Sequence, residues 1–374
     1  MGAVTDFASM TSQQKVVWSR TVWSAARDMM FVKRFIGTST NSMIQRITEL
    51  TPTERGDQVL FQLVADLVED GVISDNQREG HEEQMASYAQ IIQIDLISHQ
   101  VKNKGKLANQ KTVINFREQA RDKLAYWLAD RVDQLVFLTL SGVSYAYNNN
   151  GSPRIAGSPF PSLSFASDVA AHTAARALRW SATSGLNASD TTQVASADVA
   201  SYQMIVDVMT FAKDHYIRPL MADGKEYYVM LVKPGTMGQL KKDPDYLRAV
   251  TQALPRTKDN PFFTGATVTV DGAVIQEHRK VYSTVGAASG SKWGSGGTVD
   301  GTRTLLCGAQ ALGMADIMPP DWVEKFFDYD TKQGISVDKM FGLLAPQFYS
   351  IYDQAVETFG SIAIDHALPG FNIL

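Results

Sequence analysis

Apolar positions along the chain follow two periods, one near 3.6 residues and one near 2. Over residues 114–141, Phe116, Ala120, Leu124, Leu128, Val132 and Leu135 or Val136 keep one stripe. Arg117, Arg121, Lys123, Asp130, Arg131 and Asp133 fall elsewhere. This spacing predicts a single amphipathic helix, about 40 Å long at 1.5 Å per residue. Gly142 supplies its stop. Residues 11–36 show a weaker helical pattern. Thr11 and Gln14 make a plausible capping box, and Val16, Trp23, Ala26, Met30 and Ile36 sit near one face. Trp18 and Trp23 need something to bury against, either the chain's own core or a partner subunit.

The period-2 segments predict strands. QVLFQLVADL (58–67) and QIIQIDLISH (90–99) both read this way. In the second, Ile92, Ile94 and Leu96 point one way and Gln93, Asp95 and His99 the other. EYYVMLVKP (226–234) is a near-continuous apolar run, suited to a strand covered on both faces. TVTVDGAVIQEH (267–278) predicts two strands around Asp271-Gly272, a dipeptide that accepts the positive φ angles of a hairpin turn. RTLLCGAQALGMA (303–315) reads as buried structure, and DWVEKFFDYD (321–330) opens a C-terminal set of pairings. Residues 143–200 are rich in Ser, Asn, Gly, Ala and Thr, implying loops with a short helix at about 167–180. Another helix is expected at 197–215, and residues 286–301 read as a flexible surface loop.

Charge changes this picture in one place. From Asp66 to Glu83 there are seven carboxylates, Asp66, Glu69, Asp70, Asp75, Glu79, Glu82 and Glu83, against the single Arg78. Lys102, Lys104, Lys106 and Lys111 follow the second strand, with no acid until Glu118. Ten residues of extended strand would hold the acidic tip about 33 Å from the basic root, several Debye lengths at physiological salt. Either both are solvated surface, or the tip of one copy lies on the root of the next.

Composition narrows the function classes. The chain has 374 residues, 44% hydrophobic and 10% aromatic, which is globular and long enough for two or three compact units. A net charge of −4 does not ask for a nucleic-acid or anionic-membrane partner. A lone cysteine, Cys307, excludes an intrachain disulfide and a multi-cysteine zinc site, and fits a reducing compartment. No apolar signal segment and no membrane-length apolar run are visible, so a soluble, cytosolic chain is expected.

Chemical motifs are weak. His81-Glu82-Glu83 suggests a metalloprotease cluster, but that pattern needs a second histidine four residues on, and Met85 stands there. His99, His172, His215, His278 and His366 are scattered, without ligand spacing. Gly286 to Lys292 has the wrong spacing for a phosphate loop, and neither a nucleophile elbow nor a dinucleotide fingerprint occurs. Cys307 lies in an apolar run, where a small buried thiol is the ordinary reading. No catalytic residue, cofactor or metal is therefore assigned.

Five stretches, in order, resemble the major capsid proteins of tailed bacteriophages, specifically the N-four-like podovirus family. They are VVWSRTVWSAARDMMFVKRFIG; GDQVLFQLVADLVEDGVISDNQREGHEEQMASYAQIIQIDLISHQV; REQARDKLAYWLADRVDQLVFLTLSG; IRPLMADGKEYYVMLVKPGTMGQLKKDP; and NPFFTGATVTVDGAVIQEH. The resemblance implies an α+β chain of the Hong Kong 97-type capsid fold. It implies an N-terminal arm at 1–54, an extended two-stranded E-loop at 55–101, and a P-domain at 102–200 with the spine helix 114–141 and inserted loops. A-domain and P-domain core would occupy 201–320, and a P-domain return and tail 321–374. It implies a structural, non-enzymatic subunit that self-assembles into hexamers and pentamers of an icosahedral shell enclosing double-stranded DNA. The implied location is the virion capsid, assembled in the bacterial host cytoplasm. Partners would be copies of itself, with scaffold, portal and decoration proteins as further candidates, packaged DNA by weak non-specific contact, and no membrane. On that view Trp18, Trp23, Asp66, Glu69, Asp70, Glu79, Glu82, Glu83, Lys102, Lys104, Lys106 and Arg117 are the inter-subunit contact candidates. An encapsulin-like nanocompartment shell shares the implied fold, and a metal-dependent hydrolase around His81 is the reading from a different class.

Overall fold

A computed structural model describes residues 30–48, 58–64, 71–74, 79, 82–83, 87–106, 116–222, 224–253, 268–317, 319–350 and 353–368. Two mixed sheets share one central helix. The helix, Phe116–Leu140, runs 25 residues. It ends as its sequence dictates. Gly142 takes φ 62°, and the Val143 and Gly142 N–H groups donate to the Leu138 and Thr139 carbonyls, a Schellman closure.

The expected stripe is buried, but burial goes further. From Val132 to Leu140 every residue is buried, including Asp133 and Gln134. Asp133, placed off the stripe by periodicity, accepts the Phe31 and Val32 N–H groups at 3.0 and 3.3 Å. Burial raises its carboxyl above the ordinary range, partly offset by those same N–H groups. The N-terminal helix expected at 11–36 lies outside the described residues up to 29. Beyond that it is not an α-helix, since Val32–Phe35 is a 3₁₀ turn and Ile36–Gly37 pairs in parallel with Ile44–Ile47. Asp133 caps the turn from outside, which residue spacing within the arm could not show.

A six-stranded sheet lies on one side of the spine. Its centre is the long strand Lys332–Leu344, flanked on one edge by Asp95–Lys102 and on the other by Asp321–Phe327 and Leu312–Asp316. An eight-stranded sheet runs Val268–Val270, Ala273–Glu277, Lys225–Val232, Gly301–Cys307, Ser361–Ala367, Ala177–Ser181 and Gly185–Ala188, with Leu220–Ala222 paired to Lys225–Val232. Its central strands are covered on both faces, as the apolar run at 226–234 predicts. Val229, Leu231, Leu305 and Cys307 face the spine core. Tyr228, Met230, Val232, Leu306 and Ile364 pack with Met204, Ile205, Val208 and Leu240, from helices Tyr202–Asp214 and Pro234–Leu240. The Asp271-Gly272 turn forms where expected, with φ 50° and 84°. Cys307 is buried, which pushes its thiol up to about 12. Among the described residues no helix is long and apolar enough to cross a membrane.

Three expectations are corrected. No helix forms at 167–180; Ala177–Ser181 is a strand, parallel to Ser361–Ala367 and antiparallel to Gly185–Ala188. Sheet pairing overrides the helix propensity of its alanines. Residues 286–301 are not a loose loop. Trp293 is buried against Val194 and Ala367, its ring lies on Gly301, and Lys292 pairs with Asp300 at 2.6 Å. Residues 90–99 are not one strand. Ser87–Gln93 pairs with Gln58–Val64, whereas Asp95–Lys102 pairs with Lys332–Leu344. The chain bends at Ile94, and the buried phase slips by one residue. Ile92 is 0% exposed, Leu96 47% and Ile97 5%. Asp95 fixes the bend by accepting the Leu96 and Ser164 N–H groups, each at 2.7 Å.

Candidate assembly surfaces

The bend sets a hairpin, Gln58–Val64 with Ser87–Gln93, on the edge of the body. Alternation gives it two faces. Val59, Phe61 and Ile92 are buried, while the facing pair Leu60 and Ile91 is 51% and 46% exposed. The inner face is seated on two glycines inside strands. A Cβ at Gly313 would lie 2.8 Å from the Phe61 ring, and one at Gly342 would lie 2.2 Å from the Gln93 carbonyl oxygen. Glycine within a strand marks such close approach. Phe61 also stacks on Phe348 at 5.9 Å. Gln90 exchanges two hydrogen bonds with the Gln347 backbone, at 2.6 and 2.9 Å. The hairpin is therefore anchored firmly at its base.

The acidic stretch falls in sequence between the two hairpin strands. Glu79 and Glu82 are exposed and Glu83 is half-buried. Trp18, Trp23, Asp66, Glu69, Asp70 and His81 lie outside the described residues. The basic candidates separate into two groups. Lys102, Lys104 and Lys106 are exposed, and the Lys102 amine sits 4.4 Å from the Phe327 ring centroid. Arg117 is turned inward on the first turn of the spine, donating to Glu324 at 2.8 Å. The Glu324 carboxylate also accepts from the Trp322 indole at 3.0 Å. The sequence signal that paired Arg117 with the lysines was charge alone, and the strand at 321–327 supplies its carboxylate from within the chain.

The molecule also has a cleft of about 420 Å³ between Leu63 of the hairpin, Phe348–Ser350, Glu357–Gly360 and Tyr216–Pro219. Inside it the buried Arg176 donates to Glu357, lies 3.5 Å from Asp353, and donates to the His215 carbonyl at 3.0 Å. Burial raises the Glu357 carboxyl. These groups tie strand to helix end, and no nucleophile–base pair lines the cleft among the described residues. His99 stacks on Trp127, and His278 on Phe31 and Phe137. Among the described residues no three His, Cys, Asp or Glu side chains come together to hold a metal ion.

Sequence reasoning missed the glycine seat, Gln90 and the Leu60–Ile91 pair. Gly313 and Gly342 inside strand patterns were the readable signal for the seat; the exposed pair has none, because apolar alternation does not say which face is covered.

A family model described as phage capsid protein matches residues 6–369. The chain is 50% identical over 368 residues to the major capsid protein of Pseudomonas phage KPP25, covering 97% of each. Its structure is similar to the capsid of Ralstonia phage GP4, with a TM-score of 0.75, 24% identity and 92% of each chain covered. It is also similar to the capsid asymmetric unit of cyanophage Pam1, with a TM-score of 0.70, 19% identity, and 91% of this chain and 92% of that one covered.

Proposed function

The chain belongs to the phage capsid protein family and has the Hong Kong 97-type fold, and from that premise we propose that it is a major capsid protein. In this reading it builds an icosahedral shell around the double-stranded DNA of a tailed phage, from hexamers and pentamers of itself. The observation that carries this is the 50% identity to a major capsid protein over 97% of both chains. The architecture supports it physically. A hairpin anchored at its base and apolar on its outer face suits contact with another copy rather than catalysis. We assign residues 1–54 as the arm, 55–101 as the E-loop, and 102–200 as P-domain with the spine. Residues 201–320 carry the A-domain and P-domain core, and 321–374 the return and tail. Assembly takes place in the host cytoplasm, where scaffold, portal and decoration proteins are further partners and packaged DNA touches the shell weakly.

The test is negative-stain electron microscopy of the purified chain, alone and co-expressed with a scaffold, beside size-exclusion chromatography. Closed shells or capsomer-sized rings are expected. A monomer under both conditions refutes the shell. Within the shell, the acidic residues Asp66, Glu69, Asp70, Glu79, Glu82 and Glu83 contact basic groups of an adjacent copy, and Trp18 and Trp23 anchor the arm on a neighbour. Lys104 and Lys106 are better partners for these carboxylates than Arg117, which is engaged by Glu324. Reversing Glu82 and Glu83 to lysine is expected to leave the folded monomer intact and to block shell closure. Normal shells from that variant would count against the contact.

A further inference from the structure

The short two-stranded finger Gln347–Ser350 with Ala355–Thr358 belongs to neither main sheet. It braces the hairpin. Phe348 stacks on the Phe61 ring at 5.9 Å, and the Gln347 backbone exchanges two hydrogen bonds with Gln90. Whatever ties the finger to the body therefore steadies the hairpin as well. Some of these ties are neutral. The Thr173 and Thr358 N–H groups each donate to the other's hydroxyl, at 3.1 and 3.2 Å, and the Gln347 side chain donates to the Ala171 carbonyl at 2.9 Å. Another is ionic. Arg176, just ahead of the strand Ala177–Ser181, meets Glu357 of the finger and Asp353 of its turn.

Donors and acceptors in this ionic tie do not match. Glu357, Asp353 and the His215 carbonyl all approach one guanidinium nitrogen, Nη2, which carries two N–H groups. The buried Nε and Nη1 bond to nothing among the described residues. Once Nη2 has donated to Glu357 and to the His215 carbonyl, no N–H remains for Asp353 at 3.5 Å. Two carboxylates also share one cation, and the Glu357 side chain is only 5% exposed. A proton between the two carboxylates supplies the missing donor and removes the surplus negative charge. Burial accordingly holds the Glu357 carboxyl above its ordinary range, with Arg176 opposing and the adjacent Asp353 adding to the rise. At the end of the helix Tyr202–Asp214, His215 is the other titratable group in reach, its Nδ1 3.7 Å from Asp353. Lys213, Arg218, Glu226, Tyr216, Tyr228 and Tyr349 line the same cleft. The Tyr228 hydroxyl is turned to the Ile217 carbonyl.

We infer that Asp353 and Glu357 form a proton-binding latch, which tightens the finger under the hairpin when the pair takes up one proton. The latch lies within a single chain, so the inference goes beyond the shell function and does not depend on it. Its sign is opposite to that of an ordinary ion pair. When the finger opens, Glu357 returns to the ordinary value of 4.5; when it is closed, the value is raised. The proton's contribution to closure is therefore complete below 4.5 and is withdrawn as pH rises through the raised value. A simple Arg–Glu bridge would instead weaken as pH falls. Opening of the finger is a local event, distinct from unfolding of the whole chain.

Hydrogen exchange of the purified full chain, followed by mass spectrometry from about pH 8 to about pH 5, tests this. Rates are converted to protection factors, which removes the pH dependence of intrinsic exchange. Amides of 347–358 and of the hairpin strand 58–64 are expected to gain protection severalfold as pH falls. Protection that stays level or falls overturns the inference. Glu357→Gln places a neutral donor opposite Asp353, which remains as the counter-ion of Arg176. That variant is expected to hold the acid level of protection across the whole range, and a gain that persists in it overturns the assignment. His215→Gln is expected to keep the gain; its loss there moves the proton to the imidazole and overturns the carboxylate pair. Should Glu357→Gln fail to fold, Asp353→Asn on the exposed turn serves instead. Removing the second carboxylate is expected to flatten the gain, and an undiminished gain refutes the latch. Shell formation by the wild-type chain is decided separately by microscopy, so either conclusion can fail without the other.

Discussion

Adding one methyl group at Gly342 should tilt the hairpin off the body while leaving the two main sheets folded. The Cβ of alanine there would lie 2.2 Å from the Gln93 carbonyl oxygen and 2.8 Å from Ile92 Cγ2, where ordinary contact begins at 3.4 Å. The first of these atoms is backbone, so no rotamer change relieves it. Gln93 is held in addition by its N–H, which donates to Asp168 at 2.8 Å. The strand must therefore move by roughly 1 Å, and overpacking of this kind costs about 1–3 kcal/mol. With an unfolding entropy of about 2.1 cal/mol/K per residue over the whole chain, Tm falls by only about 1–4 °C. The assembly defect should be larger than the stability defect. The hairpin strands extend roughly 23 Å from the seat, so a tilt at the base displaces their far ends, Val64 and Ser87, by more than the local shift. Differential scanning calorimetry and electron microscopy of Gly342→Ala check the two halves separately. Gly238→Ala is the control, because nothing lies within 4 Å of its Cβ position. That helix residue should stabilise slightly when replaced. Normal shells and an unchanged Tm for Gly342→Ala would refute the seat.

Three further outcomes follow from buried polar groups. Burial holds the His366 ring, bonded to Thr304 and the Ala367 carbonyl, down to about 4; the unfolded chain protonates it near 6.5. Stability is therefore complete above about 6.5 and is withdrawn as pH falls toward 4, by roughly 3 kcal/mol for this ring at pH 4. His172, held to about 3, acts in the same direction, so the urea midpoint should fall between pH 7 and pH 4.5 and fall less in His366→Gln; a level midpoint refutes this. Asp365 receives Arg303 through two bonds of 2.7 and 2.9 Å in the interior, and Asp365→Asn should destabilise by about 3–5 kcal/mol by leaving that cation uncompensated. A loss under about 1 kcal/mol in urea unfolding contradicts this. Cys307, with its thiol buried and pushed up to about 12, should not exchange with an aromatic disulfide reagent in the native chain and should react fully in urea. Rapid native reaction would show the strand to be open.

Local pattern determined the elements whose instructions are local. The spine and its Gly142 stop, the Asp271-Gly272 hairpin, the helix near 202–214 and the strand covered on both faces at 225–232 all follow from spacing and backbone preference within the segment. Charge order along the chain likewise marked an acidic segment followed by a basic one. Tertiary structure decided wherever the partner of a residue lies far along the chain. Asp133 looks like a surface acid until residues 31 and 32 arrive to donate to it. Arg117 looks like part of the basic root until Glu324 engages it. The stretch 90–99 reads as one strand, because alternation cannot register that Gln58–Val64 pairs with the part before Ile94 and Lys332–Leu344 with the part after it. The same holds for the turn at 328–330. In the sequence it is only the end of the aromatic tract 321–330, and the crossing of Phe327 over Gly334 to Lys102 brings that tract beside a distant lysine.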